Sequence, residues 1–466
     1  MTLLAKNVSD RMINKIHETA MKILDEKGVR FTYPRALETF RKNGFRVEDR
    51  VVYFTEAQAR AALAQVPTSF VLRGREEKYD VKIGEGGQAF VPSYGPVFVS
   101  RCNERRKANR EDVVNFAKLS WSSPVINVMN PYTVAPGDVD AGHALMYQQA
   151  ACLKYSAKPT MGIAAGYESA KESIRLVRKI NARTPDDYVT IGLCEAISPL
   201  TYDDHMAGSI FAYAEENQPI VIGCGDLTGA TSSVSCIGTM ATVMAELISG
   251  LTLAQLIRPG LPCVFGSVAM STDMRYVTPA IGTPEAARFA ILEKAMAEYY
   301  GNIPCRSGGT SCDAKQTDFE AGAESMLLMM TTMAAGMDYI IHTVGIMDSY
   351  NIIGYEKFVL DEQTVQAIQF TLKEPAMDDD TIGLDTIMEV DHGCQYLMEP
   401  HTMEYMRQEL FTPAISLHGI SDVWKNNGAK TILDLANEAI DKRLADYQLP
   451  ELDAEKAALL DRYLNV

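Results

Sequence analysis

The middle of the chain alternates short β-rich runs with longer stretches of helical periodicity. The candidate strands lie at 88–92, 126–130, 158–163, 188–193, 219–224, 262–267, 303–307 and 338–343. The candidate helices between them lie at 140–155, 168–182, 203–216, 234–257, 284–300 and 317–335. Strands that alternate with helices in this way pair in parallel. Because eight such repeats close a barrel, we predict an α/β fold of the (β/α)8 TIM barrel class rather than an open doubly wound sheet.

The two ends of the chain differ from the middle. Residues 1–85 read as mostly helical, and helical periodicity returns over 361–466. No low-complexity linker separates these ends from the middle. We therefore predict an N-terminal helical cap over 1–85, a catalytic barrel over 86–360, and a C-terminal helical extension over 361–466 that packs on the barrel.

Net charge and cysteine use restrict the class of protein. A formal charge of −16 argues against a nucleic-acid binder or a protein of anionic membrane surfaces, which need basic patches. Nine scattered cysteines, an odd number, favour a reducing compartment. No uninterrupted apolar run reaches about 18 residues, and the N-terminus lacks a secretory signal pattern. We expect a cytoplasmic enzyme without a membrane span.

Candidate reactive residues follow the predicted strands, because the loops at the carboxyl ends of the strands form the reactive face of such barrels. Tyr94 stands at the tip of a Pro-Ser-Tyr-Gly-Pro loop after the first strand, where a packed aromatic ring is the alternative. Glu195 follows the fourth strand, and His342 follows the eighth, with Tyr350 close behind it. A lone histidine at a strand end is more often structural, but its place on this face makes a functional role equally plausible.

A dense polar segment, residues 306–315, follows the seventh strand. It begins with Arg306 and contains two consecutive glycines, which permit unusual backbone angles near a ligand. The alternative is an ordinary loop that leads into the helix at 317–335.

Three other patterns are weaker. The glycines at 223, 225 and 229 are spaced one residue too far apart for a dinucleotide-binding loop. A zinc site built from Cys305, Cys312 and Cys394 lacks any C-x-x-C pair. From the residues alone, the chain reads as a barrel enzyme of unknown reaction.

Several longer phrases resemble one family. SYGPVFV at 93–99, ISPLTYDD at 197–204, GTPEAA at 282–287, CRSGGTSCDAKQTDFEAGAES at 305–325 and YIIHTVGIMDSYNIIGYEKFVLDE at 339–362 look like the trimethylamine methyltransferase family. The phrases occur in the family's order and span most of the chain. The resemblance implies a barrel that passes a methyl group to the cobalt of a separate corrinoid protein.

The trimethylamine-demethylating members of that family carry pyrrolysine, whereas this chain has only standard residues. The resemblance is therefore to the non-pyrrolysine branch, of which the glycine betaine methyltransferase is the best-known type. A quaternary amine suits this difference, because its nitrogen already bears positive charge and leaves as a neutral tertiary amine. No proton donor is then needed during the transfer, and the enzyme mainly orients the substrate.

The resemblance suggests roles for the five candidates. Tyr94 is expected to face the ammonium group through its ring, and Glu195 to add negative charge. His342 and Tyr350 are expected to bind a substrate carboxylate, with Arg306 as a rival for that role or as half of an internal ion pair. We expect no metal bound by this chain and no corrinoid-binding D-x-H-x-x-G signature, so that the cobalamin-type cofactor belongs to a partner protein.

Two other functions stay open at this point: a lyase or decarboxylase acting on a small carboxylate, and a non-catalytic betaine-binding protein. The sequence does not decide among glycine betaine, proline betaine, carnitine and γ-butyrobetaine as substrate. A homo-oligomer is expected, and methanogenesis- or acetogenesis-type one-carbon metabolism is the expected setting.

Overall fold

Two parallel sheets form the centre of the computed structural model, which describes residues 4–465. One sheet contains Thr160–Gly162, Thr190–Ala196, Ile220–Cys224 and Cys263–Phe265, paired in chain order. The other contains Arg306–Gly308, Tyr339–Ile341 and Ala89–Phe90. Seven of the eight strands predicted from sequence are confirmed, all of them parallel to their neighbours.

The segment predicted as the second strand, 126–130, forms only a parallel bridge from Met129 to Thr160. The side chain of Asn127 replaces regular pairing here, since its Oδ1 accepts from the Phe90 N–H at 2.7 Å and its Nδ2 donates to the Gln88 carbonyl. One further parallel bridge joins Phe265 to Cys305 between the two sheets. Within residues 4–465, the assigned strands form an α/β core but not one continuous closed sheet.

Helices follow the strands as the periodicity predicts. Those predicted from sequence are Ala141–Tyr155, Tyr167–Asn181, Asp204–Glu215, Cys236–Ile257, Pro284–Tyr299 and Phe319–Ala335. Two more, Arg110–Trp121 and Tyr355–Leu372, follow the first and last strands. Local capping explains their starts: Asp318 accepts a hydrogen bond from the Ala321 N–H, and Thr283 accepts one from Ala286 just before Pro284.

The interior between the central strands is apolar and is closed at one end by a hairpin. Val128, Met161, Ile191, Val221 and Val264 are buried there together. The hairpin Phe70–Leu72 with Val81–Ile83 inserts Leu72 and Ile83, both fully buried, into the same cluster. Each such side chain contributes about 1.5–3 kcal/mol by leaving water. The hairpin therefore acts as a plug, which leaves the carboxyl ends of the strands as the open face.

Residues 4–85 are mixed rather than mostly helical. The three expected helices are present at Asp10–Lys22, Pro34–Lys42 and Glu56–Leu63. Short strands, unforeseen from sequence, lie at Val29–Phe31, Arg46–Glu48 and Val51–Tyr53, and the first pairs in parallel with Thr201–Tyr202. Three-residue strands are too short to give a visible alternation of polar and apolar residues, which is why the sequence analysis missed them.

Helix Cys236–Ile257 is long and apolar enough to cross a membrane by length and composition. No membrane span was expected from the sequence, because no uninterrupted apolar run reaches about 18 residues. In the structure, 83% of its most apolar window is buried inside the fold. The helix is apolar on all sides because it is a core helix, surrounded by neighbouring elements.

The C-terminal part contains the helices expected from sequence and some shorter ones. They lie at Asp379–Ile382, Leu384–Glu389, Pro400–Glu409, Ser421–Asn426, Ile432–Ala445 and Ala454–Leu464. Ala436 and Ile440 are buried where Ile432–Ala445 packs against Tyr355–Leu372. Leu460 is buried where the last helix packs against Ala141–Tyr155.

Short hairpins rise from the carboxyl ends of the central strands. They are Phe98–Arg101 with Glu104–Lys107, Met270–Asp273 with Thr278–Ala280, and Ile346–Met347 with Ile352–Gly354. Strand Ile352–Gly354 pairs in parallel with Phe98–Arg101, and Met270–Asp273 pairs in parallel with Leu227–Thr228. These pairings tie the loops of different repeats into one rim.

Candidate functional site

The structure brings together the five residues singled out from the sequence, at the open face. Arg306 and Glu195 form an ion pair, and the backbone N–H of Tyr94 donates to His342 Nδ1 at 3.2 Å. The ring of His342 lies 4.6 Å from that of Tyr350. The strands that lead to Tyr94, Arg306 and His342 are neighbours in one sheet, whereas Glu195 lies in the other sheet and is reached by the Arg306 side chain.

The ion pair fixes the floor of the site. Arg306 is fully buried, and its Nη2 lies 2.6 Å from Glu195 Oε1 while its Nε donates to the Gly266 carbonyl at 3.0 Å. The Glu195 side chain remains 37% exposed. A Cβ at Gly223 would come within 2.8 Å of Arg306 Nη2 and 3.0 Å of Glu195 Oε1. The absence of a side chain at position 223 therefore makes room for the pair.

Aromatic rings form one wall. The centroids of Tyr94 and Tyr132 are 4.8 Å apart, with the planes tilted by 33°. Both residues are half-buried, so part of each ring faces the open end. Asn130 positions both loops: its Nδ2 donates to the Ser93 carbonyl and its Oδ1 accepts from the Tyr132 N–H. Tyr132 follows the segment predicted as the second strand and was not among the residues predicted for the site.

The loop that carries His342 and Tyr350 has a strained backbone. His342 has φ of 59° and Tyr350 has φ of 73°, in the left-handed region that costs a bulky residue about 1–3 kcal/mol. Asp348 and Ser349 also have positive φ. The Ser349 hydroxyl is held 2.5 Å from Asp313 Oδ1. Such strain persists where the surroundings hold it in place, and here it points Tyr350 toward His342.

Histidine 342 is neutral near pH 7. Burial, with a smaller contribution from the Arg306 charge, lowers the pKa of His342 to about 3. Because its Nδ1 accepts the Tyr94 N–H, the neutral ring carries its proton on Nε2. Within the described residues, Nε2–H has no hydrogen-bond acceptor. The site therefore presents one free N–H donor.

A buried network under the site ties the last two loops together. Lys357 Nζ donates to the Thr310 carbonyl at 2.8 Å and to Asp361 Oδ2 at 2.6 Å. Asp361 also accepts from the Gly345 N–H and the Thr310 hydroxyl. Burial raises the pKa of the Asp361 carboxyl against the opposing effect of Lys357. The network fixes the loops that carry Arg306 and His342.

Two buried acids lie beside the site. The Ser198 hydroxyl is within hydrogen-bond distance of both Asp226 Oδ2, at 3.1 Å, and Glu246 Oε2, at 2.8 Å. Burial and the neighbouring Glu246 raise the pKa of Asp226 to about 8, and burial raises that of Glu246. Cys224 lies in the same group, the one cluster among residues 4–465 with side chains of metal-binding type. Two carboxyl groups in this setting hold a shared proton rather than two charges.

A small cavity lies behind Tyr350. Its wall includes Ser267, Ser307, Ser311 and Glu293, and its volume of about 20 Å³ is room for one water molecule. Burial raises the pKa of Glu293 to about 7, although it accepts hydrogen bonds from the Ser267 hydroxyl and N–H. An organic molecule of several heavy atoms does not fit in this cavity.

We expected no corrinoid-binding D-x-H-x-x-G signature in this chain. This expectation is wrong, because residues 203–208 match that spacing. The structure gives these residues an ordinary role. Asp203 is the N-cap of helix Asp204–Glu215 and accepts from the Met206 N–H at 2.8 Å. His205 is an exposed residue in the first turn of that helix. The match is therefore a capped helix start in this chain.

The cysteines considered for zinc do not meet. Cys305 and Cys312 are buried in different clusters, and Cys394 is exposed in the C-terminal part. Gly223 lies in the central strand Ile220–Cys224, and Gly225 lies in the loop directly after it.

Comparison with known proteins identifies the family. Residues 4–465 match the family model described as trimethylamine methyltransferase (MTTB). The chain is 33% identical to a glycine betaine methyltransferase of Desulfitobacterium hafniense, over 98% of this chain and 96% of that protein. It is 31% identical to a proline betaine:corrinoid methyltransferase of Eubacterium limosum, over 98% and 97% respectively.

The fold also has a solved counterpart. The structure aligns with the crystal structure of the Methanosarcina barkeri monomethylamine methyltransferase (MtmB) with a TM-score of 0.53. The alignment covers 95% of each chain, at 13% sequence identity. At that identity the likeness concerns the α/β fold alone. The family match extends over nearly the whole chain, and the site residues lie within it. This chain is therefore a methyltransferase that belongs to the trimethylamine methyltransferase family.

Proposed function

We propose that this chain removes a methyl group from a quaternary amine of the betaine type and passes it to cobalt(I) of a separate corrinoid protein. The two relatives named above act, by their names, on glycine betaine and proline betaine, and one is named for a corrinoid acceptor. Glycine betaine is the first substrate to test. The observation that carries the proposal is a site with aromatic rings, one carboxylate and a neutral histidine.

The cationic end of the substrate would contact the rings. A quaternary ammonium has no N–H to donate, so recognition depends on ring faces and negative charge. Tyr94 and Tyr132 offer adjacent faces, and a desolvated ammonium–ring contact contributes about 2 kcal/mol. Glu195 adds a partly exposed carboxylate whose other oxygen is bound by Arg306.

The carboxylate end would bind His342 and Tyr350. The free Nε2–H of His342 is a donor that stays in place over the physiological pH range, because the pKa of His342 is lowered to about 3. The Tyr350 hydroxyl is a second donor, since burial raises its pKa and keeps it protonated. Arg306 is held by Glu195 and Gly266, so we assign it to the floor of the site and not to the carboxylate.

The reaction needs no proton from this chain. The corrinoid, when its carrier protein docks, supplies the nucleophile that takes the methyl group. The C–N bond breaks as the methyl group leaves, and the nitrogen keeps the electron pair as a neutral tertiary amine. The residues of this chain would hold the cation against the outer side of the rings, direct one methyl group toward the open face and exclude water.

We infer that the central strands form one closed eight-stranded barrel. Support comes from the bridge Phe265–Cys305, which links the two assigned sheets, and from the bridge Met129–Thr160, which joins the segment 126–130 to the first of them. On the remaining side, the Val128 N–H donates to the Phe90 carbonyl at 3.3 Å. The division into a cap over 1–85, a barrel over 86–360 and an extension over 361–466 is part of the same proposal, as is a cytoplasmic location.

The test is methyl transfer with purified protein. We would supply chemically reduced cob(I)alamin and, in separate reactions, glycine betaine, proline betaine, carnitine, γ-butyrobetaine or trimethylamine, and follow methylcob(III)alamin by absorbance. Methylation from a betaine, with release of the matching tertiary amine, is the expected result. Methylation from trimethylamine alone overturns the proposal, and so does binding of a betaine without any demethylation when corrinoid carrier proteins are also supplied.

A further inference from the structure

One oxygen of the Glu195 carboxylate has no hydrogen-bond donor. Oε1 lies 2.6 Å from Arg306 Nη2, and within residues 4–465 no group donates to Oε2. The Glu195 side chain is 37% exposed, whereas Arg306 is fully buried. Because Oε1 is held by the buried arginine, Oε2 lies on the exposed side of the carboxylate. The site therefore contains an unused acceptor that belongs to a charged group.

This carboxylate is close to the aromatic rings. Burial raises the pKa of the Tyr94 and Tyr350 hydroxyls, and the charge of Glu195 adds to the increase in both. The carboxylate is therefore near enough to both phenols for its charge to act on them. A cation held against the rings would lie beside Oε2.

A quaternary ammonium cannot donate to this acceptor. Its nitrogen has four carbon substituents and no N–H, so Oε2 attracts it through charge alone. When one methyl group goes to cobalt(I), the electron pair stays on nitrogen and the product is a neutral tertiary amine. An aliphatic amine has a pKa of about 10 in water, so near pH 7 the product takes one proton from the solvent. The protonated product has the charge of the substrate and one N–H.

That N–H can reach the carboxylate by a bond rotation. The electron pair forms where the departing methyl group was, on the side of the open face. Rotation about the bond from nitrogen to the rest of the molecule exchanges the N–H with a neighbouring methyl group. The contact then formed is a hydrogen bond between an ammonium and a carboxylate, which is about twice as strong as one between neutral groups.

We propose that Glu195 Oε2 accepts a hydrogen bond from the protonated tertiary amine, so that the product binds this site more tightly than the substrate and inhibits the enzyme competitively. The inference rests on the proposed function, because that reaction supplies the product. Arg306 acts as a positioning residue, since it holds Oε1 and leaves Oε2 to the ligand. Turnover would then slow as the tertiary amine accumulates, unless a later reaction consumes it.

Calorimetric binding of two matched pairs of ligands tests the proposal without a corrinoid. Trimethylammonium and tetramethylammonium have the same charge and differ by one N–H. Dimethylglycine and glycine betaine differ in the same way and share a carboxylate. At pH 7, in each pair that binds, we expect the tertiary member to bind at least tenfold more tightly. A tertiary member that binds equally or more weakly overturns the proposal, and so does the absence of binding by all four ligands.

Glu195→Gln tests the acceptor itself. Arg306 has only donors, so the amide oxygen must face it, and the NH2 group takes the place of Oε2. We expect tertiary ligands to bind at least a hundredfold more weakly and quaternary ligands about tenfold more weakly, so that the preference is lost. A preference that survives in Glu195→Gln overturns the proposal.

Glu216→Gln is the matched control for the loss of a charge from an arginine–glutamate pair. Glu216 pairs with Arg178 at 2.8 Å and precedes strand Ile220–Cys224, at the closed end of the fold. We expect this variant to keep the preference for tertiary ligands. Loss of the preference in Glu216→Gln as well would assign the effect to net charge and overturn the proposal.

Methyl transfer separates this inference from the proposed function. The expected result is competitive inhibition of betaine demethylation by the matching tertiary amine, with a Ki below KM, and relief of that inhibition in Glu195→Gln. If a betaine is demethylated and the tertiary amine does not raise its KM, the inference fails and the proposed function stands. If no substrate is demethylated but the binding preference is present, the proposed function fails and the tertiary ammonium site at Glu195 stands.

Discussion

Arg306, fully buried, donates from Nη2 to Glu195 Oε1 at 2.6 Å, and this contact joins the seventh predicted repeat to the fourth. The arginine neutralises one side of the carboxylate and leaves the other side facing the aromatic rings. A partly neutralised carboxylate attracts a cation without requiring a proton to move. The same contact supports the proposal that Arg306 serves the floor of the site and not a substrate carboxylate.

Glu195→Gln keeps the shape of this contact and removes its charge. We expect KM for a quaternary amine to rise about tenfold, equivalent to about 1.4 kcal/mol, with a smaller effect on kcat. The comparison should include tetramethylammonium, which has the cation and no carboxylate. Equal effects on tetramethylammonium and glycine betaine are expected. An unchanged KM would mean that Glu195 serves Arg306 alone.

Tyr94→Ala removes a ring from the wall that Tyr94 shares with Tyr132, and we expect it to abolish measurable turnover with an unchanged unfolding transition. Tyr94→Phe is the matched control, because it keeps the ring face and removes only the hydroxyl. The rate of steady-state methyl transfer and the thermal unfolding transition should be measured for both variants. Loss of activity in Tyr94→Phe as well as Tyr94→Ala would assign the role to the hydroxyl.

His342→Leu, which has no side-chain donor, is expected to separate the two ends of the substrate. Removing the Nε2–H donor should raise KM for glycine betaine at least tenfold and leave KM for tetramethylammonium nearly unchanged. Because the pKa of His342 is lowered to about 3, betaine affinity in the unsubstituted enzyme should be flat between pH 5 and pH 8. A betaine affinity that follows a titration near pH 6.5 contradicts the neutral ring.

Asp226→Asn is expected to change how stability depends on pH. The pKa of Asp226 in the folded state is raised to about 8, so the folded protein holds a proton that the unfolded chain has already lost. This proton makes its full contribution to the free energy of unfolding below about pH 4. The contribution falls as pH rises toward 8, by up to about 1.4 kcal/mol per pH unit. Urea unfolding at pH 5.5 and pH 8.5 should show a smaller loss for the variant than for the unsubstituted chain. Equal losses argue against a shared proton.

The hairpin tip at Met274, Tyr276 and Val277 is exposed and apolar, and its base packs near Tyr350. We expect this tip to contact the corrinoid carrier at the open face. Val277→Asp should raise KM for the carrier protein about tenfold and leave methyl transfer to free cob(I)alamin unchanged. Equal effects with both acceptors would place the defect in the site and not in docking.

The sequence by itself determined the strands and helices of the core, since their period depends on residues close together in the chain. Seven of the eight strands and six of the seven helices between them were predicted in this way; helix Arg110–Trp121 was not. The strand at 126–130 was not, because the Asn127 side chain takes hydrogen bonds that regular pairing would use. The order of loops after strands also identified Tyr94, Glu195, Arg306, His342 and Tyr350 as residues that the carboxyl ends of the strands would bring together.

Only the tertiary structure decided how those residues pair. Whether Arg306 binds a substrate carboxylate or Glu195 depends on a distance between strands separated by 111 positions, which no local pattern contains. The protonation of His342 depends on its burial and on the Arg306 charge. The exposure of Phe319, Met326 and Leu327 on helix Phe319–Ala335 is likewise invisible in sequence, because apolar residues look the same whether they face a core or water. Burial and long-range distance are properties of the folded chain, and these decided the chemistry of the site.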